Sequence, residues 1–256
     1  MVYSSNVQVS IFSAEGLLLS GVLEVIVLTT LAGITIPIGG FLALIERIHP
    51  QWLEEEFRHS VIAFGGGVLL AAVALVLVPE GISEQPPLVA AAAILCGGVC
   101  FMICDRILAT HKNSASQLIA MLLDFVPESM ALGASFALNG ESVGFLLAIL
   151  IGLQNLPEGF NAFRELNSST TMKKSFILPG FCLLVLLGPV SGLIGYYLLS
   201  FFPRLVGLIM LFAAGGILYL TFQDIAPQAR LDRRWGPSLG AVFGFVFGLI
   251  AQMVIA

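Results

Sequence analysis

Apolar positions run along this chain in long blocks parted by short polar breaks, with no sustained period-2 alternation. The blocks cover residues 17–45, 61–79, 87–109, 116–139, 143–166, 176–199, 203–223 and 238–256. Each is close to, or longer than, the roughly 20 residues a helix needs to cross the hydrocarbon core. The first is long enough to tilt, or to kink at Pro37. The breaks fall at His49–Ser60, Glu80–Pro86, His111–Ser114, Asn139–Ser142, Asn167–Lys174, Pro203 and Asp224–Pro237. None has room for a second domain. The pattern therefore predicts an all-α, polytopic membrane protein of eight transmembrane helices, with residues 1–256 forming a single transmembrane domain.

Composition agrees. The chain is 58% hydrophobic and 11% charged, with a mean hydropathy of +1.00. A soluble domain carries about 25% charge, so this one faces lipid. The 11 basic residues form no clustered footprint for nucleic acid. Met1–Ser10 holds no positive residue ahead of the first block, which argues against a cleaved signal peptide. Arg47, Arg58, Arg106, Lys112, Arg164, Lys173, Lys174, Arg230, Arg233 and Arg234 flank the odd-numbered breaks, and Arg204 alone lies on the other side. That bias predicts a multi-pass protein of the cell (inner) membrane with both termini on the non-cytoplasmic side.

Small residues follow helical spacing. Gly240, Gly244 and Gly248 mark one face of the last helix, and Gly188, Gly192 and Gly195 a face of the sixth. Such faces let helices approach closely, either within one protomer or in a homodimer. Cys96, Cys100 and Cys104 recur at i, i+4, i+8 and, with Cys182, read as small buried apolar residues.

Most charges lie in the breaks, which isolates the exceptions. The fourth block contains Asp124-Phe125-Val126-Pro127-Glu128, and the fifth Gln154-Asn155-Leu156-Pro157-Glu158. In each, two polar residues at i, i+4 share a helix face. Counted from a turn near Gly140, both pairs lie roughly 20 Å along their helices. They would face each other near mid-membrane. Proline donates no hydrogen bond and pushes aside the carbonyl four residues back, here that of Leu123 or Leu153. Both helices are thus expected to be broken at proline, with freed carbonyls facing protein or a polar cavity. Three acids at one level stay ionised only beside a cation. Protonated acids hydrogen-bonded across the hairpin are the alternative. The donors are oxygen-rich, with Asp124, Glu128, Gln154 and Glu158, and Asn155 as a further candidate, and chemistry alone suits Mn²⁺, Fe²⁺, Mg²⁺ or Ca²⁺ at least as well as Zn²⁺.

Other candidates carry less. Glu24 either lines an entrance or sits near the interface. Glu80, in Val78-Pro79-Glu80-Gly81, reads as a helix stop. His49, His59 and His111 read as solvated loop residues too scattered to sense metal.

The two motifs in consecutive helices resemble those of the ZIP family of divalent-metal transporters, in its prokaryotic GufA-like and ZupT-like branches. Val78-Pro79-Glu80-Gly81 is similar to that family's second span as well. The resemblance implies passage of Zn²⁺, Mn²⁺, Fe²⁺ or a similar ion toward the cytoplasm, by alternating access of an elevator-like kind. It also implies a primary metal site at Asp124, Glu128, Gln154 and Glu158, and a second site using Asn155 and sharing both glutamates. The chain departs from the family pattern at Asp124, where histidine is usual, at Phe125, where asparagine is usual, and at Gly188, where glutamate is expected. Those departures point to a single-metal site. The third break lacks the family's histidine-rich run.

The expectation is a carrier and not an enzyme, since no nucleotide loop or catalytic triad is present. Beyond the transported divalent ion, no cofactor is expected, and the partners are that ion, the lipid bilayer and, through the glycine faces, a second copy. A degenerate relative that binds metal or regulates without transporting is the alternative. An intramembrane hydrolase would also need a water-activating metal and a cleft open to lipid, which nothing else in the chain supports.

Overall fold

The computed structural model of the chain describes residues 3–46, 51–83, 85–110, 116–139, 141–169, 174–232 and 234–255. Among them are eight helices long and apolar enough to cross a membrane, and no strand. The first is Tyr3–Ile45, the third Pro87–Thr110, the fourth Ser116–Asn139, the fifth Glu141–Ser169 and the eighth Gly236–Ile255. The second, sixth and seventh are composite. The second joins Gln51–Ala72 to Val78–Ile82 through a π-helical turn at Val73–Leu77. The seventh joins Pro203–Leu220 to Ala226–Ala229 through a similar turn at Thr221–Ile225.

Proline explains both wide turns. Each ends two residues before one, Pro79 or Pro227, and the wider turn gives the ring room that an α-turn denies it. The carbonyl four residues before Pro79 belongs to Leu75, and the Gln252 amide of the eighth helix donates to it at 3.3 Å. A polar side chain thus satisfies the group that proline frees.

The expected breaks fall elsewhere. The fourth and fifth helices continue through Pro127 and Pro157 without interruption, so proline costs each a donor but not its helical path. The sixth is the interrupted one. It runs Lys174–Leu184, turns, and resumes as Leu187–Ile194 before a π-helical turn at Gly195–Leu199. Val185, four residues before Pro189, instead accepts from the Gly188 amide at 3.2 Å in a tighter turn.

The helices sort into two sub-bundles. The first, fourth, fifth and sixth pack mainly on one another, and so do the second, third, seventh and eighth. The two groups meet chiefly where the second helix lies on the fifth and the fourth on the seventh. Glycine sets the closest approaches within each group. Gly39 and Gly159 lie against the backbones of the fifth and first helices, Gly133 and Gly195 against those of the sixth and fourth. Gly67 and Gly244 do the same for the second and eighth, Gly97 and Gly215 for the third and seventh. A side chain at any of these would meet a carbonyl. Both predicted glycine faces are engaged inside the chain: Gly240 and Gly244 rest on Ser60 and Phe64 of the second helix, and Gly188 and Gly192 on Thr29 of the first.

Two placements differ from the sequence reading. Cys96, Cys100 and Cys182 are exposed and Cys104 is half-buried, so these thiols face outward instead of lining the core. His59 belongs to the second helix, where its Nδ1 lies 2.6 Å from the Glu55 carbonyl oxygen. His49 and His111, like the Gly140 turn and Arg47, Lys112, Lys173 and Arg233, lie outside the described residues.

Candidate functional site

The i, i+4 spacing in the fourth helix turns Asp124 and Glu128 to one face, at 2% and 1% exposure. On the fifth helix Gln154, also 1% exposed, meets them: its Nε2 donates to Glu128 Oε2 at 2.5 Å. The facing arrangement inferred from depth counting is therefore present for this pair. Glu158, one turn further along, is half-buried. None of the ion pairs found among the described residues involves Asp124, Glu128 or Glu158. Asp124 Oδ1 and Gln154 Oε1 are buried and receive no hydrogen bond from the protein. Buried acceptors without partners are costly, and oxygen acceptors grouped near three carboxylates are chemistry suited to a hard cation.

Asn155 is placed differently. Its Nδ2 donates to the Ala32 carbonyl of the first helix at 3.1 Å, and its Oδ1 receives nothing from the protein. The residue ties the fifth helix to the first, a carbonyl that also accepts from Thr35 Oγ1 at 2.7 Å.

A cavity of about 60 Å³ opens beside the carboxylates, lined by Asp124 and Glu158, by Asn161 one turn on, and by Asp224 and Gln228 of the seventh helix. One water needs roughly 10–15 Å³ by such a measure, so the space suits a few waters or a partly hydrated ion. It lies on the seam between the sub-bundles, with Ile62 of the second helix and Leu220 and Ile225 of the seventh completing the wall. Exposure rises along it, from buried Asp124 through half-buried Glu158, Asn161 and Asp224 to exposed Gln228. The opening thus points to the end of the bundle that carries Arg164 and Arg230. Toward the opposite end Leu132, Leu147, Leu150 and Ile151 are fully packed.

Asn161, Asp224 and Gln228 escaped the sequence reading, which ended the seventh span at residue 223. The signal was present. Asp224-Ile225-Ala226-Pro227-Gln228 repeats the spacing of Asp124 to Glu128 and of Gln154 to Glu158. The helix continues through Asp224 by way of its π-helical turn, so a third polar–proline–polar motif reaches the cavity. Glu24 lines a separate groove with Phe136, Ser142 and Phe145. Glu80 stays near a helix end, where its carbonyl accepts from Ser83 Oγ at 2.7 Å.

Among the described residues no three His, Cys, Asp or Glu side chains converge closely enough to hold a metal ion. Asp124 and Glu158 face the cavity while Glu128 is held by Gln154.

The fold and site define a multi-pass membrane protein with a polar, carboxylate-bearing cavity between two helical sub-bundles. No protein-family model matches the chain. It is similar to the zinc transporter ZupT of Chlorobium chlorochromatii (strain CaD3), 24% identical over 271 residues that cover 89% of this chain and 94% of that protein. It is also similar to the zinc transporter GufA of Myxococcus xanthus, 29% identical over 150 residues, 56% of this chain and 57% of that one. These relatives bear out the resemblance drawn from the proline–glutamate motifs, to the GufA-like and ZupT-like branches of the ZIP family.

Proposed function

We infer that this chain is a divalent metal cation transporter, carrying Zn²⁺, Mn²⁺, Fe²⁺ or a similar ion toward the cytoplasm through the cavity between its two sub-bundles. The observation that carries the reading is the placement of Asp124 and Glu158 on that seam, backed by the Glu128–Gln154 pair. Both curated relatives named above are called zinc transporters, which supports the same class. Alternating access would follow from movement of the first, fourth, fifth and sixth helices against the other four. On this reading the cavity opens inward, with the basic ends of the helices at the cytoplasmic face of the cell membrane and both termini outside.

In this reading the ion is the substrate. Arrival of a cation draws Glu128 away from the Gln154 amide, and Asp124, Glu128, Glu158 and the Gln154 carbonyl oxygen supply its donors. Asp224 and Gln228 receive it on the way out. The site would hold one ion, since Phe125 and Gly188 offer no donor where the family motif has asparagine and glutamate. The Phe125 ring lies 3.0 Å from where a Cβ at Gly188 would stand and 3.1 Å from one at Gly33. An apolar ring fills the ground beside the carboxylates on the side of the first and sixth helices, and two of the three departures from the family motif, Phe125 and Gly188, meet there.

Purified protein in proteoliposomes, loaded with a metal-sensitive dye and offered Zn²⁺, Mn²⁺, Fe²⁺, Co²⁺ and Cd²⁺ in turn, tests the proposal. Saturable uptake of at least one ion is expected, abolished by Glu158→Ala at normal protein level. Absence of flux for every ion would favour the degenerate, non-transporting reading.

A further inference from the structure

His59 is the one histidine among the described residues, and the packing of the second helix puts it at the mouth of the cavity. Two contacts fix the register of that helix. A Cβ at Gly65 would stand 2.8 Å from Pro157 Cγ of the fifth helix, and one at Gly66 2.8 Å from Ile225 Cγ2 of the seventh. Ile62, one turn before both, lines the cavity. His59 precedes Ile62 by three residues and Gly66 by seven, spacings that share a helix face. The turns Thr221–Ile225 and Ala226–Ala229 of the seventh helix both pack on the second. The two helices run antiparallel, so each step back from Gly66 meets a step beyond Ile225. His59 therefore lies about one turn past Ile62 and Gln228, toward the basic end to which the cavity opens.

Its chemistry differs from that of the cavity. Nδ1 lies 2.6 Å from the Glu55 carbonyl oxygen. A carbonyl only accepts, so Nδ1 carries the proton and Nε2 keeps its lone pair in the neutral ring. Among the described residues no hydrogen bond or ion pair engages Nε2, and the residue is half-buried. An imidazole whose far N–H is fixed by a carbonyl is the arrangement of metal-binding histidines, since that bond sets tautomer and ring orientation. Asp124, Glu158, Asn161, Asp224 and Gln228 bring no imidazole or thiolate to the cavity. His59 brings the nitrogen, a donor that suits Zn²⁺, Fe²⁺ and Co²⁺ better than Mg²⁺ or Ca²⁺.

We propose that His59 is the last protein ligand on the cation path, its Nε2 taking the ion from Asp224 and Gln228 as it leaves and favouring borderline ions over hard ones at that step. The inference rests on the transport reading, in which the cavity opens inward. An oxygen-rich centre suits hard divalent ions at least as well as Zn²⁺. A nitrogen donor downstream supplies discrimination that the centre lacks, because it eases departure only for ions that imidazole binds. Its place on the second helix keeps this step off the helices that carry Asp124, Glu128, Gln154 and Glu158.

The test uses the full chain in detergent, with the metal ion alone as probe. Diethylpyrocarbonate acylates an imidazole nitrogen that is not already taken, and peptide mass spectrometry reads His59 apart from His49 and His111. At one fixed pH, Zn²⁺ or Co²⁺ should slow acylation of His59 about fivefold or more, and Mg²⁺ or Ca²⁺ should leave it unchanged. Glu158→Gln, which weakens the central site, should keep that protection. Loss of protection in Glu158→Gln, or equal protection by Mg²⁺, would overturn the assignment, because an ion at the centre or divalent charge in general would then be shielding the ring. In proteoliposomes His59→Asn, which retains a donor for the Glu55 carbonyl but lacks Nε2, should slow Zn²⁺ flux about tenfold and Mn²⁺ flux by no more than about twofold. Equal slowing of both ions would mean a structural role and overturn the selection. The acylation assay involves no flux. Protection of His59 without flux of any ion would sink the transport reading and leave the metal contact, whereas flux with an unprotected His59 would do the reverse.

Discussion

The two sub-bundles divide polarity unequally. Of the polar residues buried among those described, Thr29, Asp124, Glu128, Ser129, Ser135, Gln154, Asn155 and Ser191 belong to the first, fourth, fifth and sixth helices. The other four helices contribute only Thr221. Both sub-bundles are built by the same device, reciprocal glycine contacts between helix pairs. The difference is therefore chemical and not architectural. Burying polar groups in a membrane is expensive, and under the proposed function their concentration in one half assigns the ion to that half. In that reading the other half is a wall, which adds Asp224 and Gln228 of the seventh helix to the cavity lining.

The sharpest way to break this comparison is to remove polarity from each side of the cavity in turn. Glu158→Gln should weaken metal binding by about 100-fold or more, since even residues that merely support a metal ligand cost 10–100-fold when lost. Asp224→Asn, on the wall, should leave equilibrium affinity within about threefold and slow transport roughly tenfold, because binding and release then reside on different helices. Calorimetric titration and proteoliposome flux on the same preparations separate the two. Equal losses of affinity in both variants would make the wall part of the binding site and erase the asymmetry.

Acid offers a test of intermediate size. Metal and protons compete for the same carboxylates, so affinity must fall as pH falls and binding must release protons. The proton count per bound ion, from titrations in buffers of different ionisation enthalpy, should drop in Glu158→Gln and stay unchanged in Asp224→Asn. A pH-independent affinity in the unaltered protein would mean that the carboxylates are not the ligands.

Much of this arrangement was legible in the chain. Helix number follows from the apolar blocks, because the bilayer imposes both length and backbone satisfaction. The facing of Glu128 and Gln154 follows from counting residues to a common turn. What could not be read was where proline bends a helix. Pro127 and Pro157 lie within continuous helices, while Pro189 sits beyond an interruption. The choice depends on neighbours that take up the strain, such as Gln252 donating to Leu75 ahead of Pro79. Asp224 was missed for a related reason: a charge near a block's end looks like a loop unless the π-helical turn that carries the helix past it is known. The role of Asn155 was equally hidden, since the carbonyl it meets, at Ala32, is 123 residues away in the chain.

Packing on the carrier side gives a smaller effect. Gly188→Glu should lower stability by about 1–3 kcal/mol, the usual cost of overpacking a filled interior, read as a lower melting temperature. The added side chain meets Phe125 and also the Thr29 carbonyl oxygen, 2.7 Å from its Cβ position. Adding Phe125→Ala should therefore leave most of the loss in place, and the pair should still bind one ion. Full recovery of stability, or a second bound ion, would show that the ring alone keeps the site single.

The smallest expected effect concerns the tie between the halves. Arg164 of the fifth helix donates to Glu46, just after the first helix, at 2.5 Å and to Glu54 of the second at 2.6 Å, and its guanidinium lies over the Phe160 ring. Glu46 moves with Arg164 in any displacement of one sub-bundle against the other, whereas Glu54 does not. Only the Glu54 bond can report which way the cavity faces. All three side chains are partly exposed, so the bond contributes about 0.2–1 kcal/mol, enough to shift a two-state ratio by up to about fivefold. Glu54→Gln should thus reduce the population open toward the basic end by a few fold, while Glu46→Gln leaves it unchanged. Thiol labelling of a single cysteine placed at Gln228, in a background cleared of the four native cysteines, measures that population as a rate. If the two variants slow labelling equally, the halves do not move as units and the division between carrier and wall is only one of composition.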